Sequence, residues 1–193
     1  MTKIPDNNVP WPAPWADAPR FGPDLPWPAY AFRPGLPHPR RHAAGHLFGL
    51  PEPIAGAPRD GIILHLRSVD LYHAGYFWEA HEGWESLWRV LEGGEALFVQ
   101  SLIQNSAAQL KLHTGRLAGA VKLSRAAYAR VSATVVPHPK LLGLSTKDFA
   151  HGILRHYRPL WQGEGRAAGS APRLSPAGLI RLHQFHDPGS QPT

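Results

Sequence analysis

The chain has 193 residues, 20 Lys and Arg against 14 Asp and Glu, a formal net charge of +6, and no cysteine. That length suits one domain with extensions, and the missing cysteines exclude a disulfide framework, a thiolate metal site and a cysteine nucleophile. Met1-Thr2-Lys3-Ile4-Pro5-Asp6 lacks the basic-then-apolar pattern of a secretory leader, and no apolar run reaches the ~20 residues of a membrane span, so a cytoplasmic protein with no membrane association is expected.

Residues 1–58 are rich in proline and tryptophan and carry no helical period. Pro10-Trp11-Pro12, Pro14-Trp15 and Pro26-Trp27-Pro28 favour extended backbone. Their aromatics predict an arm in which Trp11, Trp15, Trp27, Tyr30 and Phe32 pack onto a helical body. Helical spacing begins near Asp60, where Ile62, Leu66, Val69 and His73 form a stripe that ends at Gly75. A second helix is predicted from about Tyr76 to Leu91, stopped by Gly93-Gly94. A third runs from about Glu95 to Leu112; it is apolar on most sides and therefore central and buried. A fourth covers about Leu117 to Val131, with Leu117, Val121, Ser124, Tyr128 and Val131 on one face. Pro137 and Pro139 break the chain, and the Ser145–Asp148 spacing caps a fifth helix over about Lys147 to Tyr157. Residues 161–193 read as a loose extension, in which Ser175-Pro176 could open a short helix.

The segment His73–Ala80 is echoed by His113–Ala120 at a spacing of 40 residues, each copy joining two helices through a glycine turn. The expected fold is therefore all-α, a bundle of two stacked tetratricopeptide-like helical hairpins plus a further helix over 59–160, with the irregular arm. On this alignment His81, Trp84, Glu85 and Trp88 replace Val121, Ser124, Arg125 and Tyr128. Scaffold needs alone do not explain that exchange. On a helix, Phe77, Ala80, Trp84, Trp88 and Leu91 share one face, His81 falls within it and Glu85 on its flank, while Glu79 and Glu82 turn toward solvent. Ionisable groups aimed at an apolar interior need a partner or a use.

Phe77, Glu79-Ala80-His81-Glu82, Glu85 and Trp88, with Arg89 following, resemble the F-x-E-A-H-E-x-x-E-x-x-W signature of the DUF309 family of small bacterial and archaeal helical proteins. Leu102-Ile103-Gln104, Ala108, His113, Gly115-Arg116 and Gly119-Ala120 resemble a second block of that family. The resemblance covers about residues 60–157 and implies an all-helical core. It implies no reaction, since the family's function is unassigned. Gly83 departs from the usual larger apolar residue and leaves room for a neighbouring backbone or a ligand.

Two kinds of chemistry fit these residues. His81-Glu82-x-x-Glu85 has the spacing of a zincin-like helix with its second histidine replaced. His81 and Glu85 would ligate a divalent metal, Glu82 would act as base, and His73, Asp70 or His113 could complete the set. Without metal, Gln100, Gln104 and Lys111 of the third helix could face His81 and Glu85 in a polar pocket walled by Trp78, Trp84 and Trp88. The structural alternative is that His81 and Glu85 hydrogen-bond to each other, to Arg89 or to a backbone group of a neighbouring helix and only fix helix register. No motif calls for an organic cofactor, and nothing supplies a nucleophile. The leading expectation is a small interaction or ligand-binding protein for an unidentified small molecule or protein, which could act as a homo-oligomer. A metal-dependent hydrolase on the same motif is the alternative, so the sequence leaves open whether the protein is an enzyme. Arginines scattered from Arg20 to Arg181 make a nucleic-acid role a lesser reading. His38, His42 and His46 fall at four-residue steps, but Pro37 and Pro39 deprive that spacing of helical meaning.

Overall fold

A computed structural model describes residues 58–168 and 171–174 and, of the N-terminal region, residues 18, 20, 21, 27–36 and 38. Five helices follow in order: α1 (Pro58–His73), α2 (Phe77–Trp88), α3 (Gly93–His113), α4 (Leu117–Val135) and α5 (Thr146–Trp161). Short connections make sequential helices pack side by side. α3 lies between α2 and α4, and α5 packs on α4. The central α3 buries Phe98, Val99, Leu102, Ile103 and Ala108 and also the polar Asn105 and Gln109, as expected of a helix walled on several sides.

The α1–α2 and α3–α4 turns are built alike, which gives the 40-residue repeat a physical basis. Gly75 and Gly115 adopt φ +85° and +71°, backbone that costs glycine nothing. In each copy the residue after the glycine donates its N–H five residues back, Tyr76 to the Leu71 carbonyl and Arg116 to that of Lys111, both at 2.8 Å. Both bonds satisfy carbonyls that the ending helix would otherwise leave open.

A two-stranded antiparallel hairpin, β1 (Lys140–Leu141) and β2 (Leu144–Ser145), precedes α5 and was not expected from the sequence. Its two-residue turn places both Leu142 (φ +48°) and Gly143 (φ +74°) in left-handed backbone. Leucine there is sterically costly, so turn composition gives little warning of the hairpin. Ser145 caps α5 as predicted, its hydroxyl accepting the Asp148 N–H at 3.2 Å. α5 continues through Pro159 to Trp161, beyond the predicted end at Tyr157.

Both flanking regions are tied to the helices where they are described. Tyr30 and Ala31 are buried, Trp27 stacks on Tyr76 at 5.5 Å, and the Phe21 N–H donates to Asp70 Oδ1 at 2.8 Å. Trp11 and Trp15 lie outside the described residues. Of the C-terminal extension, residues 171–174 pack against α1. Ala171 and Leu174 are buried, the Tyr72 hydroxyl donates to the Pro172 carbonyl at 2.9 Å, and the Leu174 N–H donates to His73 Nε2 at 3.3 Å. The short helix expected after Ser175 lies outside the described residues.

Candidate functional site on α2

α2 buries Phe77, Ala80, Trp84 and Leu87 against its neighbours. Gly83 serves the approach of α1, because a methyl group there would overlap Ser68 Oγ. The room that glycine leaves is thus taken by a side chain of α1. The helix closes with Trp88, which is 39% exposed rather than facing inward.

His81 and Glu85 are half-buried, so the pair stands at the rim of the core and not inside it. The buried carboxylate of α2 is instead Glu79, expected to face solvent. The N-terminal arm crosses that side of the helix. The Phe32 N–H donates to Glu79 Oε1 at 2.9 Å, and Phe32 and His38 meet the Trp78 ring edge-on at 5.3 and 5.4 Å. Burial pushes the Glu79 carboxyl up to about 7, with the Glu82 charge adding to the rise and the Phe32 N–H opposing it. The covering chain is what a single-helix projection cannot contain.

His81, Glu82 and Glu85 converge. One ligand atom from each lies within 4.8 Å of the others, and all three residues are half-buried. His81 Nδ1 stands 3.3 Å from Glu82 Oε1, with side-chain exposures of 24% and 44%. Among the described residues His81 forms no bond to Glu85 or Arg89, so the register-fixing pair is not made. A ring nitrogen and two carboxylates suit a borderline divalent ion, whose ligand atoms sit about 3.3 Å apart in a tetrahedral shell. Glu82, expected as a base, stands here among the candidate ligands.

The other expected ligands stand elsewhere. Asp70 accepts the Phe21 N–H, His73 accepts the Leu174 N–H, and His113 stacks on Phe77 at 5.5 Å. The polar pocket wall is not assembled either. Trp84 is fully buried and donates its indole N–H to His65. Gln100 and Gln104 turn to α4, where both accept hydrogen bonds from Arg130, and Lys111 lies along Gly119 of α4. Sequence reasoning did not single out Arg130 or His65; each acts through a partner on another helix and belongs to no local motif.

Residues 66–123 match the family model for DUF309, a domain of unknown function. The match is shorter than the 60–157 span of the sequence resemblance and ends within α4. No curated protein and no solved structure matches the chain.

Proposed function

We propose that this DUF309 protein is a ligand-binding protein whose site is the His81–Glu82–Glu85 face of α2, and that the ligand is a divalent transition-metal ion. One observation carries the reading: an imidazole and two carboxylates converge within 4.8 Å at the rim of the core. Three protein ligands at a half-exposed position leave coordination sites for water or for a donor atom of a second molecule. Trp78, one turn from Glu82, and the arm over it would border such a molecule. A hydrolytic reaction on this motif ranks below binding, because the residue expected as base is also a candidate ligand.

The test is binding of Zn²⁺, Mn²⁺ and Co²⁺ to the full chain, by equilibrium dialysis with elemental analysis, beside His81→Ala/Glu85→Ala. One equivalent of at least one metal is expected, lost in the double variant. Metal-free thermal stability should stay near that of the parent, since both side chains are partly solvated. Sub-stoichiometric binding, or equal binding by the variant, overturns the reading.

A further inference from the structure

We propose a second, separate binding site for a phosphate group in the groove between α3 and α4, built on Arg130, Gln100 and Gln104. Arg130 Nε donates to Gln100 Oε1 at 2.7 Å, and its Nη1 donates to Gln104 Oε1 at 3.0 Å and to the Ala126 carbonyl at 3.3 Å. The guanidinium is half-buried and held in one orientation by two side chains one helical turn apart.

These bonds fix more than the arginine. A guanidinium only donates, so each glutamine must present its oxygen to it. Each amide NH₂ shares its carbon with that oxygen and therefore sits beside the cation. Among the described residues neither NH₂ group has a partner, and neither does Arg130 Nη2. The outcome is a set of N–H donors around one positive charge, with no carboxylate paired to it.

The choice of glutamine is informative. Were Arg130 only a tie between α3 and α4, glutamate at 100 or 104 would hold it more strongly, as a charge-assisted pair. Glutamine orients the guanidinium and leaves its charge for a ligand. A tetrahedral oxyanion uses several N–H donors together, as Arg and amide groups provide. Lys111 lies two turns beyond Gln104 on the same stripe of α3, about 10 Å along the axis. Its stem runs over Gly119, where an added Cβ would stand 3.4 Å from Lys111 Cγ. A second cation thus stands further along the same α3–α4 face.

The test is calorimetric titration of the full chain with sodium pyrophosphate in metal-free buffer with chelator, against sodium chloride at matched ionic strength. The chelator keeps the α2 site out of the result, so this proposal and the metal reading fail separately. Saturable one-to-one binding is expected, weakened at least tenfold in Gln100→Glu/Gln104→Glu, a variant whose thermal stability should equal or exceed the parent's. Gln104→Glu alone and Arg130→Gln should each weaken binding, which keeps the test decisive if the double variant folds poorly. Absence of saturable pyrophosphate binding, unchanged affinity in the folded variants, or binding of a short oligonucleotide without pyrophosphate binding overturns the proposal.

Discussion

The indole N–H of Trp84 donates to His65 Nδ1 across 3.2 Å, while Nε2 of the same imidazole lies 3.0 Å from the Leu142 carbonyl. A bare Nδ1 and a protonated Nε2 satisfy both partners, so the neutral ring is the form that fits. His65 thereby joins α1 to the core of α2 and to the hairpin turn whose leucine occupies left-handed backbone. A proton on Nδ1 would face the indole N–H.

Burial holds the His65 imidazole down to about 4, against a small opposing pull from the Leu142 carbonyl, and burial also lowers His73 to about 4. Both groups are depressed in the fold, so their contribution is complete above pH 6.5 and is lost as pH falls from 6.5 toward 4. Each such shift corresponds to about 3 kcal/mol at most. Urea unfolding should therefore show lower stability at pH 5 than at pH 7.5. In His65→Leu the loss with acid should be smaller, and stability at pH 7.5 should fall by about 1–3 kcal/mol because the buried Trp84 donor is left without its acceptor. Equal acid sensitivity in variant and parent would contradict this account.

A second expectation concerns the polar chain inside the bundle. Gln109 donates to the Tyr157 hydroxyl at 2.7 Å, Tyr157 to Asn105 Oδ1 at 3.3 Å, Asn105 Nδ2 to the Tyr72 hydroxyl at 2.8 Å, and Tyr72 to the Pro172 carbonyl. Four buried side chains link α1, α3, α5 and the C-terminal segment, and burial raises both tyrosines above their ordinary range. Asn105→Leu should lower unfolding free energy by about 2–3 kcal/mol, since it strands the Tyr157 hydroxyl. Tyr72→Phe should cost less globally, yet speed amide exchange at Leu174. Unchanged exchange there would show that Tyr72 does not hold the segment.

The helices were legible because apolar spacing and glycine stops are local properties of the chain; the Gly75 and Gly115 turns and the Ser145 cap need nothing from afar. The hairpin was not legible, because Leu142 opposes the backbone it adopts and is supported by His65, 77 residues away. At the site, helical spacing brings Glu85 beside His81 and Glu82, but the approach of Glu82 to His81 is made by side-chain reach between adjacent residues and was not expected from the helix projection. Glu79 was misplaced because its cover is the arm, and Gln100 and Gln104 because a face-by-face projection does not say which neighbour supplies a partner. Arg130 supplies it from α4.

Helix contact at Gly83 gives a third expectation. An alanine methyl there would overlap Ser68 Oγ, which itself donates to the Leu64 carbonyl at 2.8 Å. The intrinsic gain of about 1 kcal/mol from replacing a helical glycine should be outweighed by the 1–3 kcal/mol typical of overpacking. Gly83→Ala should thus be destabilising on its own and neutral or stabilising over Ser68→Ala, where the two Cβ atoms would stand 3.5 Å apart. A double-mutant cycle should give at least 1 kcal/mol of favourable coupling; additive effects would mean that α1 and α2 relax apart at no cost.

Glu79 gives the last. Its carboxylate accepts the Phe32 N–H, and the ring of Phe32 rests against Trp78, one residue before Glu79 on α2. Glu79→Leu would leave that half-buried N–H without its acceptor, a cost of about 1–2 kcal/mol borne by docking of the arm. Glu79→Gln keeps an acceptor oxygen and should hold the arm nearly as well. Because the Arg33–Pro34 bond resists trypsin, chymotrypsin cleavage at the Phe32–Arg33 bond, followed by mass spectrometry, reads local opening of this stretch. Cleavage should be about tenfold or more faster in Glu79→Leu and within about threefold of the parent in Glu79→Gln. Equal rates in all three proteins would place the anchor at the Trp27–Tyr76 stack instead. Accelerated cleavage in both variants would mean that the negative charge, and not the acceptor oxygen, holds Phe32 in place.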